Sequence, residues 1–393
     1  MAQQQQIVIV AAKRTAMGGF MGGLAEVSAT DLGATAISAA LTQSGIAPAN
    51  VSEVIMGCVL PAGLGQAPAR QAVLKAGLPL SAGATTINKV CGSGLKAVMV
   101  AADILKAGSA DVVVAGGMES MSNAPYLLPK ARSGMRMGHG EVKDHMMLDG
   151  LENAYDGKAM GCFAQLTANE QDFSREQMDS FAVQSLTRAQ QAIASGAFVA
   201  EIAAVTIQTR KGEQVFAVDE QPGNAKVDKI PTLRPAFAKD GTITAANSSS
   251  ISDGAAALVL MREADALAAG TAVLAKVVGY ATHSMEPVLF TVAPVGAMNK
   301  LLQQIGWDKT EVDLWEINEA FAMVTMLAVK EMALDSAKVN VNGGACALGH
   351  PIGASGARIL VTLIHALKAR GLKRGIASLC IGGGEAVALA VEV

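Results

Sequence analysis

The N-terminal part of the chain alternates between apolar runs and segments in which apolar residues recur at helical spacing. The apolar runs, which predict strands, cover residues 7–13, 51–60, 84–90 and 111–117. The helical segments between them cover residues 30–45, 66–78 and 91–108. Strands that are apolar on both faces are typical of a sheet covered by helices on both sides, so the pattern predicts an α/β fold.

A stretch from about residue 121 to residue 250 interrupts this alternation with methionine-rich, polar and charged segments. One helix is predicted here, over residues 174–196. Ser174 stands at its N-cap position and Gln177 three residues later, which is the spacing of a capping box. We interpret the stretch as an insertion with a small fold of its own.

The order helix, strand, glycines and acid occurs twice, in residues 91–120 and again in residues 353–386. Ser93 matches Ser355, and the glycines and acid at 116–119 match those at 382–385. Such a repeat predicts two similar halves that meet at a shared cleft. We therefore divide the chain into an N-terminal half, an inserted domain and a C-terminal half, at residues 1–120 with 251–273, 121–250 and 274–393.

The bulk composition excludes several classes of protein. The 393 residues carry a net charge of -3, which gives no basic surplus for nucleic acid. No run of about 18 uninterrupted apolar residues occurs, so we expect no membrane span. The N-terminus lacks the pattern of a signal peptide, and the five cysteines are an odd, sparse set with no C-x-x-C pair. We expect reduced thiols, a cytoplasmic protein and no metal site.

Two cysteines and one histidine lie beside glycine-rich turns at distant points of the chain. Cys91 follows a predicted strand and begins a helix, whose N-terminal N–H groups would stabilise a thiolate. His350 lies in a Gly-His-Pro loop at a second helix start, where an imidazole can act as a base or donate to an oxyanion. Cys380 ends a strand before three glycines, and with modest tuning its thiol is a candidate acid or base. This set indicates carbon–carbon bond chemistry on a thioester.

Other polar features rest on weaker grounds. Asn318 and Glu319 lie between a strand and an apolar helix, where they could hold a water, although Glu319 alone fits better as an acid at a helix start. Residues 245–250 form a hydroxyl-rich loop that is either a ligand loop or a turn. The remaining cysteines are assigned to packing, namely Cys58, Cys162 and Cys346.

Five segments of the chain resemble the signature blocks of thiolases. They are NKVCGSGLKAV, GGMESMSNAPY, NEAFA, NGGACALGHPIGASGAR and LCIGGGEA, and they occur in the family's order across essentially the whole chain. The resemblance implies two βαβαβαββ halves in a five-layer αβαβα arrangement, with an inserted loop domain that binds coenzyme A. It also implies a homo-oligomer, usually a tetramer, that needs no cofactor and takes coenzyme A thioesters as substrates.

The same resemblance implies a role for each site residue. Cys91 would carry the acyl group, His350 would activate it and donate to the thioester oxygen, and Cys380 would remove a proton from the second acetyl-CoA. Asn318 would hold a water in one oxyanion hole, and the N–H groups of Cys91 and Gly382 would form the other. Six further positions match those that line the pantetheine path: Leu151, Phe237, Ala245, Ser249, Ala320 and Phe321.

The chain departs from the short-chain members of the family around the acyl pocket. Ala159 precedes Met160 where a histidine is usual, and Phe290 stands where a methionine is common. The resemblance nevertheless implies acetyl-CoA C-acetyltransferase activity, the reversible joining of two acetyl-CoA into acetoacetyl-CoA and coenzyme A. The alternatives are a 3-ketoacyl-CoA thiolase of fatty-acid breakdown with a longer-chain preference, a ketosynthase and a non-catalytic acyl carrier.

The contacts with coenzyme A also differ from the family's pattern. Ser248 and Ser250 replace an alanine and a glycine of the usual loop, and Pro222 stands where an arginine is common. Lys226 and Lys229 are therefore candidates to bind the nucleotide phosphates.

Overall fold

The first strands and helices alternate as the apolar pattern predicts. A computed structural model describes residues 5–210 and 212–393. The elements up to residue 120 are β1 (Ile7–Thr15), β2 (Gly18–Gly19), α1 (Ala29–Ser44), β3 (Glu53–Gly57), α2 (Pro68–Lys75), β4 (Gly83–Ile87), α3 (Ser93–Lys106) and β5 (Val112–Ser120). The Ser28 side chain caps α1, and Gly45 ends it in the left-handed region with φ of 68°.

The segment from residue 121 to residue 251 lies largely outside the main sheet, which it joins through one short strand, Ile202–Ala203, that pairs with β1. The elements of this segment are β6 (Tyr126–Leu127), β7 (Lys143–Asp144), α4 (Met160–Glu170), α5 (Arg175–Ala194), β8 (Ile202–Ala203), β9 (Val205–Thr209), β10 (Gly212–Phe216) and α6 (Glu220–Asn224). The predicted capping box begins α5, because Ser174 and Gln177 each accept the other's backbone N–H. Two small sheets stand apart here, formed by β6 with β7 and by β9 with β10.

The last part of the chain returns to long strands and buried helices. Its elements are β11 (Ser252–Arg262), α7 (Glu263–Ala268), β12 (Ala275–Ser284), α8 (Ala293–Ile305), β13 (Leu314–Ile317), α9 (Ala322–Met332), α10 (Ala345–Leu348), α11 (Ile352–Arg370), β14 (Arg374–Ile381) and β15 (Glu385–Glu392). The strands β11, β14 and β15 are almost wholly buried, as expected for strands covered on both faces.

The long strands form one mixed sheet in the order β13-β14-β15-β12-β1-β11-β5-β3-β4. On one side of β1, β3 runs parallel to β5 and β11 runs antiparallel to β5. On the other side, β13 runs parallel to β14 and β15 runs antiparallel to β14. The helix α3 precedes β5 as α11 precedes β14, so the chain contains two similar halves. The strand β1 joins the two halves, because it pairs with β11 on one side and with β12 on the other.

Three apolar cores hold five layers together, the central one covering both faces of the middle layer. The central core lies between the helices α3 and α11 and the facing sides of both halves of the sheet. A second core packs α1 and α2 on the outer side of the N-terminal half, and a third packs α8 and α9 on the outer side of the C-terminal half. The layers therefore follow the predicted order αβαβα.

The two halves differ at the motif that the sequence repeat matched. Residues 116–119 lie inside β5, whereas Gly382, Gly383 and Gly384 form the turn between β14 and β15. The acids Glu119 and Glu385 therefore occupy different positions, and the predicted equivalence of these four residues is wrong. The reason is that β14 turns directly into its antiparallel neighbour, while β5 continues to Ser120 before the inserted segment.

The helix α11 is long and apolar enough to cross a membrane by length and composition alone. However, 83% of its most apolar window is buried inside the protein. It lies in the central core, and its first turn borders the candidate site.

Candidate active site

An apolar cavity of about 430 Å³ brings together most of the predicted site residues. The loop before α3 contributes Cys91, the loop before α11 contributes His350, and the end of β14 contributes Cys380 and Gly382. Its other predicted walls are Leu151, Met160, Phe237, Ala245, Ser249, Phe290, Ala320 and Phe321. Residues distant in the sequence therefore meet where the two halves and the inserted segment adjoin.

Three predicted residues do not line this cavity. Asn318 is buried, with 1% of its surface exposed. Lys226 and Lys229 are exposed and border a second cavity of about 270 Å³. The second cavity shares Ala245 and Ser250 with the first, so the two adjoin.

Cys91 lies in a tight turn two residues before α3. Val90 adopts φ of 45°, in the left-handed region, and a Cβ on Gly92 would lie 2.4 Å from the Ile381 side chain. Burial raises the pKa of the Cys91 thiol to about 11, although the backbone N–H groups of Gly382 and of Cys91 itself act to lower it. The prediction of a stabilised thiolate is therefore wrong for the free protein, because desolvation outweighs these donors and the helix begins later.

Glycines allow the loops that carry Cys91 and His350 to lie side by side. A Cβ on Gly94 would lie 2.7 Å from the Ala357 nitrogen, and one on Gly356 would lie 2.4 Å from the Leu95 nitrogen. The starts of α3 and α11 are therefore in backbone contact, which only glycine permits.

His350 is held by hydrogen bonds at its backbone and at one ring nitrogen. Its backbone N–H donates to the Ser250 carbonyl at 3.1 Å, and its ring nitrogen Nδ1 lies 2.6 Å from the Ser355 hydroxyl oxygen. Burial, and after it the charge of Arg358, lower the pKa of His350 to about 3, so the imidazole is neutral. Its Nε2 has no hydrogen-bond partner among the residues that the structure describes.

Cys380 is the second thiol of the cavity and is 1% exposed. It lies in the same apolar cluster as Phe290 and Phe321. Burial, and after it the proximity of Cys91, raise the pKa of the Cys380 thiol far above its ordinary value. The prediction of modest tuning is therefore wrong: Cys380 is a protonated thiol until a neighbouring base accepts its proton.

Asn318 has an unsatisfied side chain. Its backbone N–H donates to the Ser378 carbonyl at 3.0 Å, but in residues 5–210 and 212–393 neither its Oδ1 nor its Nδ2 has a partner. Buried amides are hydrogen-bonded in nearly all proteins, so an atom without a protein partner indicates a place for water or a ligand.

Glu319 has a different role from the two that its sequence position offered. It accepts hydrogen bonds from the Ser185 hydroxyl at 2.7 Å, the Asn340 amide at 2.8 Å and the Cys346 N–H at 3.1 Å. The helix α9 begins only at Ala322. Glu319 therefore ties α5 of the inserted segment to the loop at Asn340 and to α10 of the C-terminal half, and it is neither a helix-start acid nor free to bind water.

Several residues of the site were not predicted. The apolar walls also include Met121, Met147, Gly150, Ala236, Ile251 and Ile352. The hydroxyl partner of His350 is Ser355, and the buried acid Glu119 binds the backbone beside both Cys91 and His350. A charged residue at the end of the apolar run 112–118 was the available signal for Glu119.

The other cysteines are free thiols, as are Cys91 and Cys380. Cys58 is buried, as its assignment to packing predicts, but Cys162 and Cys346 are only partly buried, and Cys346 borders the second cavity. In the described ranges no group of three or more histidine, cysteine, aspartate or glutamate residues could hold a metal ion.

Comparison with known proteins accounts for nearly the whole chain. Residues 7–264 match the model of the thiolase N-terminal domain, and residues 271–393 match that of the thiolase C-terminal domain. The acetyl-CoA acetyltransferase of Escherichia coli is 54% identical over 387 residues, which cover 98% of this chain and 98% of that protein. That of Chromobacterium violaceum is 52% identical over 389 residues, covering 98% and 99%.

Solved structures show the same architecture. The crystal structure of the Bacillus anthracis acetyl-CoA acetyltransferase superimposes with a TM-score of 0.97 at 42% identity, covering 100% of both chains. That of the Syntrophomonas wolfei acetyl-CoA acetyltransferase gives 0.95 at 40% identity, covering 99% of this chain and 100% of the other. The fold predicted from the sequence is confirmed, and the chain belongs to the thiolase family.

Proposed function

We propose that this protein is an acetyl-CoA C-acetyltransferase, which reversibly condenses two acetyl-CoA into acetoacetyl-CoA and coenzyme A. The proposal rests mainly on one observation: two thiols and an imidazole meet in one apolar cavity, and Nε2 of that imidazole has no hydrogen-bond partner within the described part of the chain. Relatives about half identical over nearly their full length carry the same name, which supports this choice within the family.

The first half-reaction transfers an acetyl group to Cys91. The Cys91 proton passes to Nε2 of His350, and the thiolate attacks the carbonyl carbon of acetyl-CoA. The tetrahedral adduct breaks its bond to the sulfur of coenzyme A, which leaves and takes the proton from His350. Division into two transfers replaces one difficult step with two easier ones.

The second half-reaction forms the carbon–carbon bond. The Cys380 proton passes to Nε2 of His350, and the resulting thiolate removes a proton from the methyl group of the second acetyl-CoA. The enolate carbon attacks the acetyl carbonyl on Cys91, whose sulfur then leaves and takes the proton from Nε2 of His350. Because burial raises the pKa of the Cys380 thiol, its thiolate is a strong base toward the weakly acidic methyl group.

Two oxyanion holes would stabilise the charge that develops on oxygen. The N–H groups of Cys91 and Gly382, which act to lower the pKa of the Cys91 thiol, would serve the adduct on Cys91. His350 with a water on the free amide of Asn318 would serve the enolate oxygen. Donors fixed before reaction stabilise such charge without reorganisation.

The apolar walls would hold the acyl end and the pantetheine arm of the substrate. The arm would run along Leu151, Phe237 and Ser249 toward the second cavity, where Lys226 and Lys229 are the available cations for phosphate. The further expectations of a tetramer, a cytoplasmic location, no cofactor beyond coenzyme A thioesters and domain limits at residues 120, 250 and 273 stay predictions.

The acyl end of the cavity favours a short substrate. The Phe321 ring contacts the Phe237 ring edge to face at 6.1 Å between centroids and the Phe290 ring at 6.4 Å. These three rings and Met160 would leave little space beyond an acetoacetyl group, although Ala159 itself is small.

A substrate-length series tests the proposal. We expect kcat/KM for thiolysis of acetoacetyl-CoA to exceed that of longer 3-ketoacyl-CoA by at least about tenfold, because each added methylene must fit the aromatic wall. Preference for the longer substrate would establish the fatty-acid-breakdown alternative. Absence of thiolysis with either substrate would favour an acyl carrier.

A further inference from the structure

Glu119 is a fully buried acid in β5 that the proposed reaction does not use. Its carboxylate accepts three backbone N–H groups, from Val59 at 3.0 Å, Leu60 at 3.1 Å and Gly353 at 2.8 Å. The Cys58 thiol lies 3.7 Å from the same carboxylate. The hydrogen-bond partners that the described residues give Glu119 are therefore all neutral, and most belong to the backbone.

The three backbone donors come from the two segments that flank the candidate site. Val59 and Leu60 lie in the loop after β3 and belong to the apolar cluster against which Cys91 packs. Gly353 lies in the first turn of α11, three residues after His350. A carboxylate is favourable at a helix N-terminus, so Glu119 stabilises this turn and joins it to the loop after β3.

The backbone packs closely around the Glu119 carboxylate. A Cβ on Gly353 would lie 2.5 Å from the Glu119 Oε2, and one on Gly117 would lie 2.0 Å from the Gly353 carbonyl oxygen. The start of α11 therefore lies directly on β5, with no space for another side chain. A glutamine of the same size would present an amide N–H₂ group to one of these backbone donors.

Glu119 also acts on Cys91 through its charge. Burial raises the pKa of Glu119 to about 7, although the hydrogen bonds from Val59, Leu60 and Gly353 lower it. Burial, and more weakly the charge of Glu119, raise the pKa of Cys91. Among the residues described, the titratable side chain that hydrogen-bonds this carboxylate is the Cys58 thiol, whose pKa is raised by burial and by Glu119.

The neighbouring strand β11 adds no competing partner to Glu119. Its residue opposite Glu119 is Gly254, and the carboxylate of the adjacent Asp253 binds the Ser122 hydroxyl at 2.6 Å instead.

We propose that Glu119 is a positioning residue of the thiolase reaction. It fixes the first turn of α11, and with it the His350 loop, against the loop after β3, so that His350 and Cys91 keep their relative placement. This inference rests on the proposed function, because its principal measurement is thiolase turnover. Loss of one of these hydrogen bonds would displace the His350 loop, and small displacements of a reacting group lower kcat strongly.

The variants E119Q and E119D separate the hydrogen bonds of Glu119 from its charge. Both disturb the three hydrogen bonds, so we expect kcat for thiolysis of acetoacetyl-CoA to fall about tenfold to a hundredfold in each. KM should change by less than about threefold, because Glu119 does not line the cavity. The matched control is E53Q, since Glu53 lies at the partly exposed start of β3 and, among the described residues, its carboxylate accepts a hydrogen bond from the Thr85 side chain alone.

The rate at which iodoacetamide alkylates Cys91 can be followed on the Cys91 peptide by mass spectrometry. Its pH dependence reports the charge of Glu119, which a general loss of packing would not change in the same way. E119Q removes the charge, so its Cys91 should react several-fold faster than wild type well above pH 7 and equally fast well below it, where Glu119 is protonated. E119D keeps the charge and should follow the wild-type pH profile. A merely structural role would alter both variants alike.

The outcomes separate the two proposals. If the wild-type protein shows no thiolysis, the proposed function fails. The alkylation profiles then still show whether the charge of Glu119 acts on Cys91. If wild type is active and both variants keep its kcat, the positioning role is overturned. If E119Q does not fold, the turnover of E119D is the test. Full activity of E119D overturns the inference, and a lower kcat with an unchanged alkylation profile supports it.

Discussion

The Nδ1 nitrogen of His350 and the hydroxyl oxygen of Ser355 lie 2.6 Å apart at the start of α11. The single hydrogen of the hydroxyl is donated to the Pro351 carbonyl at 2.9 Å. The ring nitrogen must therefore be the donor to Ser355, which keeps the imidazole proton on Nδ1. The lone pair on Nε2 is left free to accept a proton from a thiol before any substrate binds.

Ser355→Ala removes this control of the tautomer. We expect the rate of acyl transfer from acetoacetyl-CoA to Cys91 to fall about tenfold to a hundredfold, since partners that orient a functional histidine typically contribute that much. Rapid-quench measurement of the acyl-enzyme checks the rate.

The control for this variant is Ser44→Ala, at the end of α1, which removes a buried hydroxyl that donates to the Leu41 carbonyl. It should leave acyl transfer unchanged. An unaltered rate in Ser355→Ala would show that the loop alone determines the tautomer of His350.

Asn318→Ala tests the predicted water site. The substitution removes the unpartnered amide, so condensation and thiolysis should fall about a hundredfold, as for loss of one oxyanion-hole donor. Acyl transfer to Cys91 should change much less, because its oxyanion would be held by the other pair of donors. Comparison of single-turnover acyl transfer with steady-state thiolysis measures the difference, and equal losses in both would contradict the assignment.

The thiol state of Cys91 predicts the pH dependence of its reaction with iodoacetamide. Because burial raises the pKa to about 11 and that of His350 is lowered to about 3, neither group ionises near neutral pH. The alkylation rate should therefore keep rising through pH 9, by up to about tenfold per pH unit. A plateau at neutral pH would instead indicate a thiolate–imidazolium pair in the free protein.

The charged cluster around Arg14 should dominate stability. Its guanidinium lies 2.5 Å from Glu201 and 2.7 Å from Asp219, and all three side chains are fully buried. Arg14→Met leaves two buried carboxylates unpaired, so the free energy of unfolding should fall by about 3–5 kcal/mol. Chemical denaturation measures this change.

The matched control is Lys276→Met, which breaks an exposed ion pair with Glu263. It should lower the free energy of unfolding by less than about 1 kcal/mol. Similar losses in the two variants would show that waters or other residues compensate the carboxylates around Arg14.

The sequence predicted the layers of the fold because the residues that form them are periodic. The apolar run at β5 and the helix-stop signal at Gly45 are local features, and the repeat of α3–β5 in α11–β14 is visible without coordinates. The match of residues 116–119 with 382–385 failed, because a shared set of letters does not fix the position at which a strand ends.

The candidate site was predicted in part for a similar reason. Cys91, His350 and Cys380 stand in unusual glycine-rich segments, so each was visible alone. The protonation states of these three residues could not be predicted in the same way, because their desolvation depends on segments distant in sequence. The hydrogen bonds of Glu119 to the loop after β3 and to α11 join residues up to 234 positions apart, and no local pattern encodes such contacts.

The most direct test is to find which atom carries the acetyl group. The protein is incubated with acetyl-CoA, quenched in acid, digested and examined by mass spectrometry, beside Cys91→Ala and Cys380→Ala. We expect one acetyl group on the Cys91 peptide in wild type and in Cys380→Ala, none in Cys91→Ala, and loss of condensation in both variants. An acetyl group on Cys380 or any other residue of wild type, or acetylation of Cys91→Ala at the wild-type level, would contradict this expectation.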